Sequence, residues 1–237
     1  YPNDQSIKAS STFFFNQMIS YFAGEKRAVS IVAHSMGGLI ARDMLTDPLF
    51  AYFQKSEQGR LPRIDHLILV GTPNQGAPLA QFRFFTEIRD QFHNFFHKET
   101  SWLNGLLDGT GEAGIDLLPG SRFLTELNSR PLPSHIDIQV IAGRVSPWSA
   151  SEIPIFIQHL EQKLPRETRP ATRTLERTLV SMSRSIGDGL VSVASAQLNG
   201  VPLTMVQGTH LTMIRNTSVS SQRIPPAVPL VIKMMSP

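Results

Sequence analysis

The sequence predicts an α/β fold, a mostly parallel sheet with helices on both faces, and three observations carry that prediction. Four stretches read as strands: the β-branched run Val29–Val32, the compact apolar run Leu67–Val70 that reads as a fully buried parallel strand, Ile136–Ala142, which alternates before Gly143, and Leu203–Val206. Ser6 to Phe22 places Phe14, Phe15, Met18, Ile19 and Phe22 at three-and-four spacing, one apolar face of a helix lying on a sheet. At 237 residues, 41% hydrophobic and 17% charged, the chain has the size and composition of one large globular domain.

The elements follow in order. Tyr1-Pro2 reads as the end of a strand, and Asn3 or Asp4 as the cap of the first helix, which Gly24 ends. After the first strand run, Leu39 to Leu45 reads as a helix that stops near Asp47-Pro48, because proline disfavours helical geometry in the residue before it. Phe50 to Arg63, with Gly59 and Pro62, reads as a connection to the Leu67–Val70 strand. No strand is evident between Gln75 and Ser134, and Gly105 to Gly120 brings five glycines that suit a hinge. Beyond the third strand, residues 147–184 form a second insertion. In it Arg166, Arg169, Arg173 and Arg177 read either as a solvated face or as an anionic headgroup site. The tail from Arg223 reads as a short closing helix with its prolines in the first turn.

Ser35 lies at the apex of the first strand-to-helix turn, in A-H-S-M-G-G, Ala33 to Gly38. A turn that lifts a serine clear of a buried strand crowds its neighbours, so the flanking positions need tiny side chains, and Ala33 and Gly37 satisfy that. A glycine-rich turn carrying a passive serine would show the same five residues. With its strand and helix, the segment resembles the nucleophile turn of the α/β-hydrolase superfamily, most closely its serine lipases and esterases, with Ala33 where the strict pattern has glycine. The segment G-T-P-N-Q-G, Gly71 to Gly76, is similar to one that many lipases carry after the next strand.

The resemblance implies the chain order serine, acid, histidine, with the partners on loops after later strands. Asp188 in G-D-G-L-V, between Gly187 and Gly189, is similar to the family's acid loop, and His210 in V-Q-G-T-H-L stands beyond the fourth strand where the family places its base. The implied site is Ser35 as nucleophile, Asp188 as acid and His210 as base, with the backbone N–H of Met36 as one oxyanion donor. A second donor is not identified, because the loop that usually supplies it belongs to an earlier strand. His34 adjoins the nucleophile, so its side chain is expected to turn away and pack or hydrogen-bond nearby. A rival acid after the second strand is absent, since Asn74 holds that place.

The expectation is therefore the C-terminal part of an α/β-hydrolase domain over residues 1–237. Its N-terminal strands are missing from the chain, a lid-like insertion spans 75–134, and a second insertion spans 147–184. The phenylalanine-rich insertion favours lipid, acylglycerol or phospholipid esters over small soluble ones, and lipases like the GPI-inositol deacylases belong among the relatives. Phe85, Phe92 and Phe95, at helical spacing, read either as core or as an acyl-chain-binding lid helix. The partners expected are an ester or lipid substrate, a peripheral contact with a lipid surface and the missing N-terminal segment. A net charge of +3 is too small to argue for nucleic acid. No cofactor or metal is implied, and the absence of cysteine removes thiol catalysis and disulfides while leaving the compartment open. Alternatives are an acyltransferase or thioesterase using the same three residues, and a silent hydrolase-like binding domain.

Overall fold

The computed structural model describes residues 6–22, 27–77, 112–145, 187–216, 218 and 220–236, with positions 154, 155, 157, 158, 162 and 173 between them. The elements run α1 (Ile7–Phe22), β1 (Ala28–His34), α2 (Met36–Thr46), α3 (Tyr52–Glu57), β2 (Arg63–Val70), α4 (Glu112–Asp116), α5 (Arg122–Ser129), β3 (Asp137–Arg144), α6 (Val193–Ala196), β4 (Leu203–Gln207) and α7 (Ala227–Met234). Tyr1-Pro2, Phe85, Phe92, Phe95 and most of 147–184 lie outside the described residues.

The four strands form one sheet in the order β1-β2-β3-β4, every neighbouring pair parallel. All carboxyl ends therefore point the same way, and the loops that leave them share one rim. Alternation along the strands sorts side chains to two faces. Leu67, Leu69, Val140 and Ala142 join a large core with α1, α2, α3, α5 and α6. Ile68, Val70, Ile141 and Val206 join a smaller one with Met213 and Ala227 of α7. Helices thus cover both faces, as expected.

Several boundaries move. The helix after Ser35 begins at Met36 rather than Leu39, because the two glycines tolerate helical geometry as well as the turn. Six residues of the Phe50–Arg63 connection coil into α3, anchored by buried Tyr52, whose hydroxyl donates to the Pro62 carbonyl at 3.0 Å. β2 starts four residues before Leu67, and its first half alternates to solvent, where Arg63 and Asp65 pair at 2.8 Å. β3 continues through Gly143, because Asp188 Cβ and Met213 pack where a side chain would stand.

The end of the segment between Gln75 and Ser134 is helical. Leu117, Leu124 and Leu127 around α4 and α5 are buried in the larger core, and Ser121 caps α5 by accepting from the Leu124 N–H at 3.2 Å. α5 also delivers Arg130, whose guanidinium donates to Asp43 on α2 at 2.6 Å and to Asp47 at 3.4 Å. Lys8 of α1 reaches the same two carboxylates. Burial alone would lower the Arg130 pKa, but the hydrogen bonds it donates to Asp43 and Glu126, with their charges, more than offset it and hold the guanidinium above its ordinary value. This cluster locks three helices over the sheet.

Candidate active site

Ser35 stands where β1 gives way to α2. Its N–H donates to the Val70 carbonyl at 2.9 Å, and its own carbonyl accepts from the Gly38 N–H at 3.0 Å. Between those two ties the backbone takes φ 56° and ψ −134°, one of two described non-glycine residues with positive φ. Such a conformation costs of order 1–3 kcal/mol and persists where the surroundings over-determine it. Met36 opens α2 directly after the serine, so its N–H belongs to the helix's first turn, where the dipole favours negative charge.

Asp188 sits on a loop tied to the end of β3 by the Val145 N–H, which donates to the Gly187 carbonyl at 2.8 Å. Gly187 has φ 54°, and a Cβ there would lie 2.0 Å from the Val191 carbonyl oxygen, so the turn admits only glycine. The turn closes on its own carboxylate. Oδ1 accepts from the Leu190 and Val191 N–H groups at 2.9 and 2.7 Å, and Oδ2 meets His210 Nδ1 at 2.7 Å. The backbones are tied as well, the His210 N–H donating to the Asp188 carbonyl at 2.9 Å.

Both side chains are buried, Asp188 at 1% and His210 at 5% exposure. A carboxylate that already accepts two backbone N–H groups is an acceptor toward the ring too, which assigns the proton to Nδ1 and the lone pair to Nε2. That is the tautomer a general base needs.

Gly71 connects this pair to the serine. It follows Val70, the residue that accepts from Ser35, and it has φ 57°. A Cβ at Gly71 would stand 3.2 Å from Asp188 Oδ2 and from His210 Cε1 and Nδ1. The structure thus brings Asp188 and His210 into contact and sets them against the residue beside Ser35's backbone partner.

Two features were not read from the sequence. His34 makes the expected nearby hydrogen bond, but its partner is the candidate base itself: Nε2 donates to the His210 carbonyl at 2.9 Å, and the two ring centroids lie 4.5 Å apart. Asn74, noted only as a non-acid, is the hub of a buried network. Its Oδ1 accepts from Arg42 at 3.0 Å, its amide donates to the Ala196 carbonyl at 2.6 Å, and Asn128 bridges its carbonyl to the same guanidinium at 2.9 Å on each side. Burial, then the charge of Arg130, pushes the Arg42 pKa down to about 10, which leaves it a cation at neutral pH. The signal available for this network was the pairing of a helical arginine with an asparagine in the T-P-N loop, and it has no characteristic spacing. Among the described residues no group of three or more His, Cys, Asp or Glu side chains is arranged to hold a metal ion.

The all-parallel sheet with helices on both faces, and a serine on a strained turn between a strand and a helix, are the features of an α/β-hydrolase fold. Residues 12–110 match the family described as a PGAP1-like alpha/beta domain. Among solved structures, the chain is similar to Bacillus licheniformis lipase BlEst2 in its mature form, at 14% identity and a TM-score of 0.52, over 97% of this chain and 74% of that one. The propeptide form gives 13% identity and 0.53, over 97% of this chain and 40% of that one. Phospholipase PlaB from Legionella pneumophila gives 14% identity and 0.51, over 89% of this chain and 43% of that one. No curated protein matches the chain in sequence. No helix among the described residues is long and apolar enough to cross a membrane.

Proposed function

We propose that the chain is a serine hydrolase that cleaves carboxylic esters through an acyl-enzyme on Ser35. The observation that supports it best is the buried Asp188–His210 pair, bonded at 2.7 Å, at the same rim of the sheet as the strained serine. In this reading Ser35 Oγ attacks the ester carbonyl carbon while His210 Nε2 takes its proton. Asp188 holds the tautomer and stabilises the imidazolium, and the Met36 N–H donates to the developing oxyanion. Collapse of the tetrahedral species passes that proton to the departing alkoxide. Water, deprotonated by the same histidine, then releases the acid and restores Ser35. Lipid esters, acylglycerol or phospholipid, are the proposed substrate class, since the similar folds include a lipase and a phospholipase.

The test is labelling by a fluorophosphonate, which reacts only with an activated serine. Labelling of the native chain that disappears in Ser35→Ala supports the reading. A native chain that stays unlabelled, while a known lipase labels alongside it, overturns it in favour of a silent binding domain.

Two further outcomes are expected. Gly71→Ala puts a methyl group against Asp188 and His210 and a side chain into a left-handed backbone. It should lower ester turnover by about 10- to 100-fold, since small misplacements of catalytic groups cost that much. Steady-state kinetics beside a thermal melt will separate this from unfolding. Phe85, Phe92 and Phe95, proposed to bind the acyl chain from a lid, should when replaced by Ser depress turnover of long-chain esters far more than of acetate esters. Each buried methylene is worth roughly 0.8 kcal/mol, so the gap should widen with chain length. Equal loss on both returns these residues to the core.

A further inference from the structure

His34 stands next to the proposed nucleophile in the chain, yet its side chain is engaged with the proposed base, 176 residues away. The contact has two parts. Nε2 donates to the His210 main-chain carbonyl at 2.9 Å, and the two imidazoles lie with centroids 4.5 Å apart, tilted by 43°. The backbone of His210 is therefore held from two directions, its N–H by the Asp188 carbonyl and its carbonyl by His34. A donor placed there fixes the loop beyond β4 in height and rotation, and the tilted ring packed against it limits how far the His210 imidazole can turn.

We infer that His34 is a positioning residue that clamps His210 through its carbonyl and its ring. The inference rests on the proposed roles of Ser35 and His210. It requires His34 to stay neutral with its proton on Nε2, since a second proton would bring a cation against the imidazolium that forms on His210 during turnover. Burial first, then the charge of His210, push the His34 pKa down to about 3, with Arg215 adding to the fall and the bond to the His210 carbonyl opposing it. The ring is then uncharged throughout the pH range in which a serine hydrolase works.

Two substitutions separate the parts of the clamp. His34→Phe keeps an aromatic ring against His210 and removes the donor, whereas His34→Gln places an amide N–H near the position of Nε2. His34→Phe should lower kcat on a soluble p-nitrophenyl ester about tenfold with KM little changed, the worth of one buried hydrogen bond. It should also speed solvent exchange of the His210 Nδ1 proton, followed as its low-field NMR resonance. His34→Gln should retain both properties. The inference is overturned if His34→Phe changes neither, or if His34→Gln loses as much as His34→Phe. A measurement on the native chain needs no variant: nitrogen-15 shifts should show His34 as the neutral Nε2–H tautomer, and an Nδ1–H tautomer overturns the clamp. The NMR arm also separates the two claims. A native chain inactive on esters whose His210 proton still responds to His34→Phe keeps the clamp and loses the hydrolase reading. An active chain whose His210 proton and kcat ignore His34 does the reverse.

Discussion

Replacing Ser35 or His210 by Ala, or Asp188 by Asn, is expected to lower ester turnover by about 10⁴- to 10⁶-fold while the fold survives. The three losses should not add, because in the proposed reading the groups act as one unit: without the serine there is no oxygen for the histidine to deprotonate. Asp188→Asn should act through the tautomer. An amide that keeps the Leu190 and Val191 N–H groups on its oxygen turns its NH2 toward His210 Nδ1. That ring nitrogen must then give up its proton, and Nε2 carries it where a lone pair is needed. The measurement is turnover of a p-nitrophenyl ester beside a thermal melt of each variant. Near-native turnover in His210→Ala removes it as the base.

Arg130→Ala should have the largest effect on stability. Asp43 has no exposed surface and Asp47 only 4%, and the partly buried Arg130 guanidinium binds both. Removing one partner of a buried pair leaves the other charge desolvated, at a cost of about 3–5 kcal/mol. Lys8 still reaches the two carboxylates from α1, which places the expected loss near 3 kcal/mol. In a chain of this size each kcal/mol shifts the melting temperature by roughly 2–4 °C, so a drop of roughly 6–12 °C is expected by calorimetry. Adding Asp43→Asn should recover part of it by removing a buried charge. A melt unchanged in Arg130→Ala would show that Lys8 alone neutralises the cluster.

The strands and the order of the candidate site residues were legible because both are local. A β-branched run, a small residue and a serine make the turn at Ser35 whatever lies elsewhere, and the G-D-G segment dictates the Asp188 turn through two backbone N–H groups within three residues. What was not legible depends on long-range packing. Nothing beside His34 announces the His210 carbonyl, and nothing beside Asn74 announces Arg42 or Ala196, the latter 122 residues on. The polar first half of β2 hid in the same way. Arg63 to His66 carries no apolar run of its own, and pairing with Ala28, Val29 and Ser30 on one side, and of His66 with Asp137 on the other, makes it a strand.

The separation between His34 and His210 also has a meaning in time. A ribosome adding about 5–20 residues per second needs roughly 10–35 s to travel the 176 residues between them. Until it does, the serine turn exists on the nascent chain without its proposed base, while Asp188 precedes that base by only 22 residues. The proposed acid and base therefore emerge almost together, long after the serine turn. In the proposed reading, the growing polypeptide carries a dormant hydroxyl at Ser35 until that stretch has been made, and becomes reactive only after it.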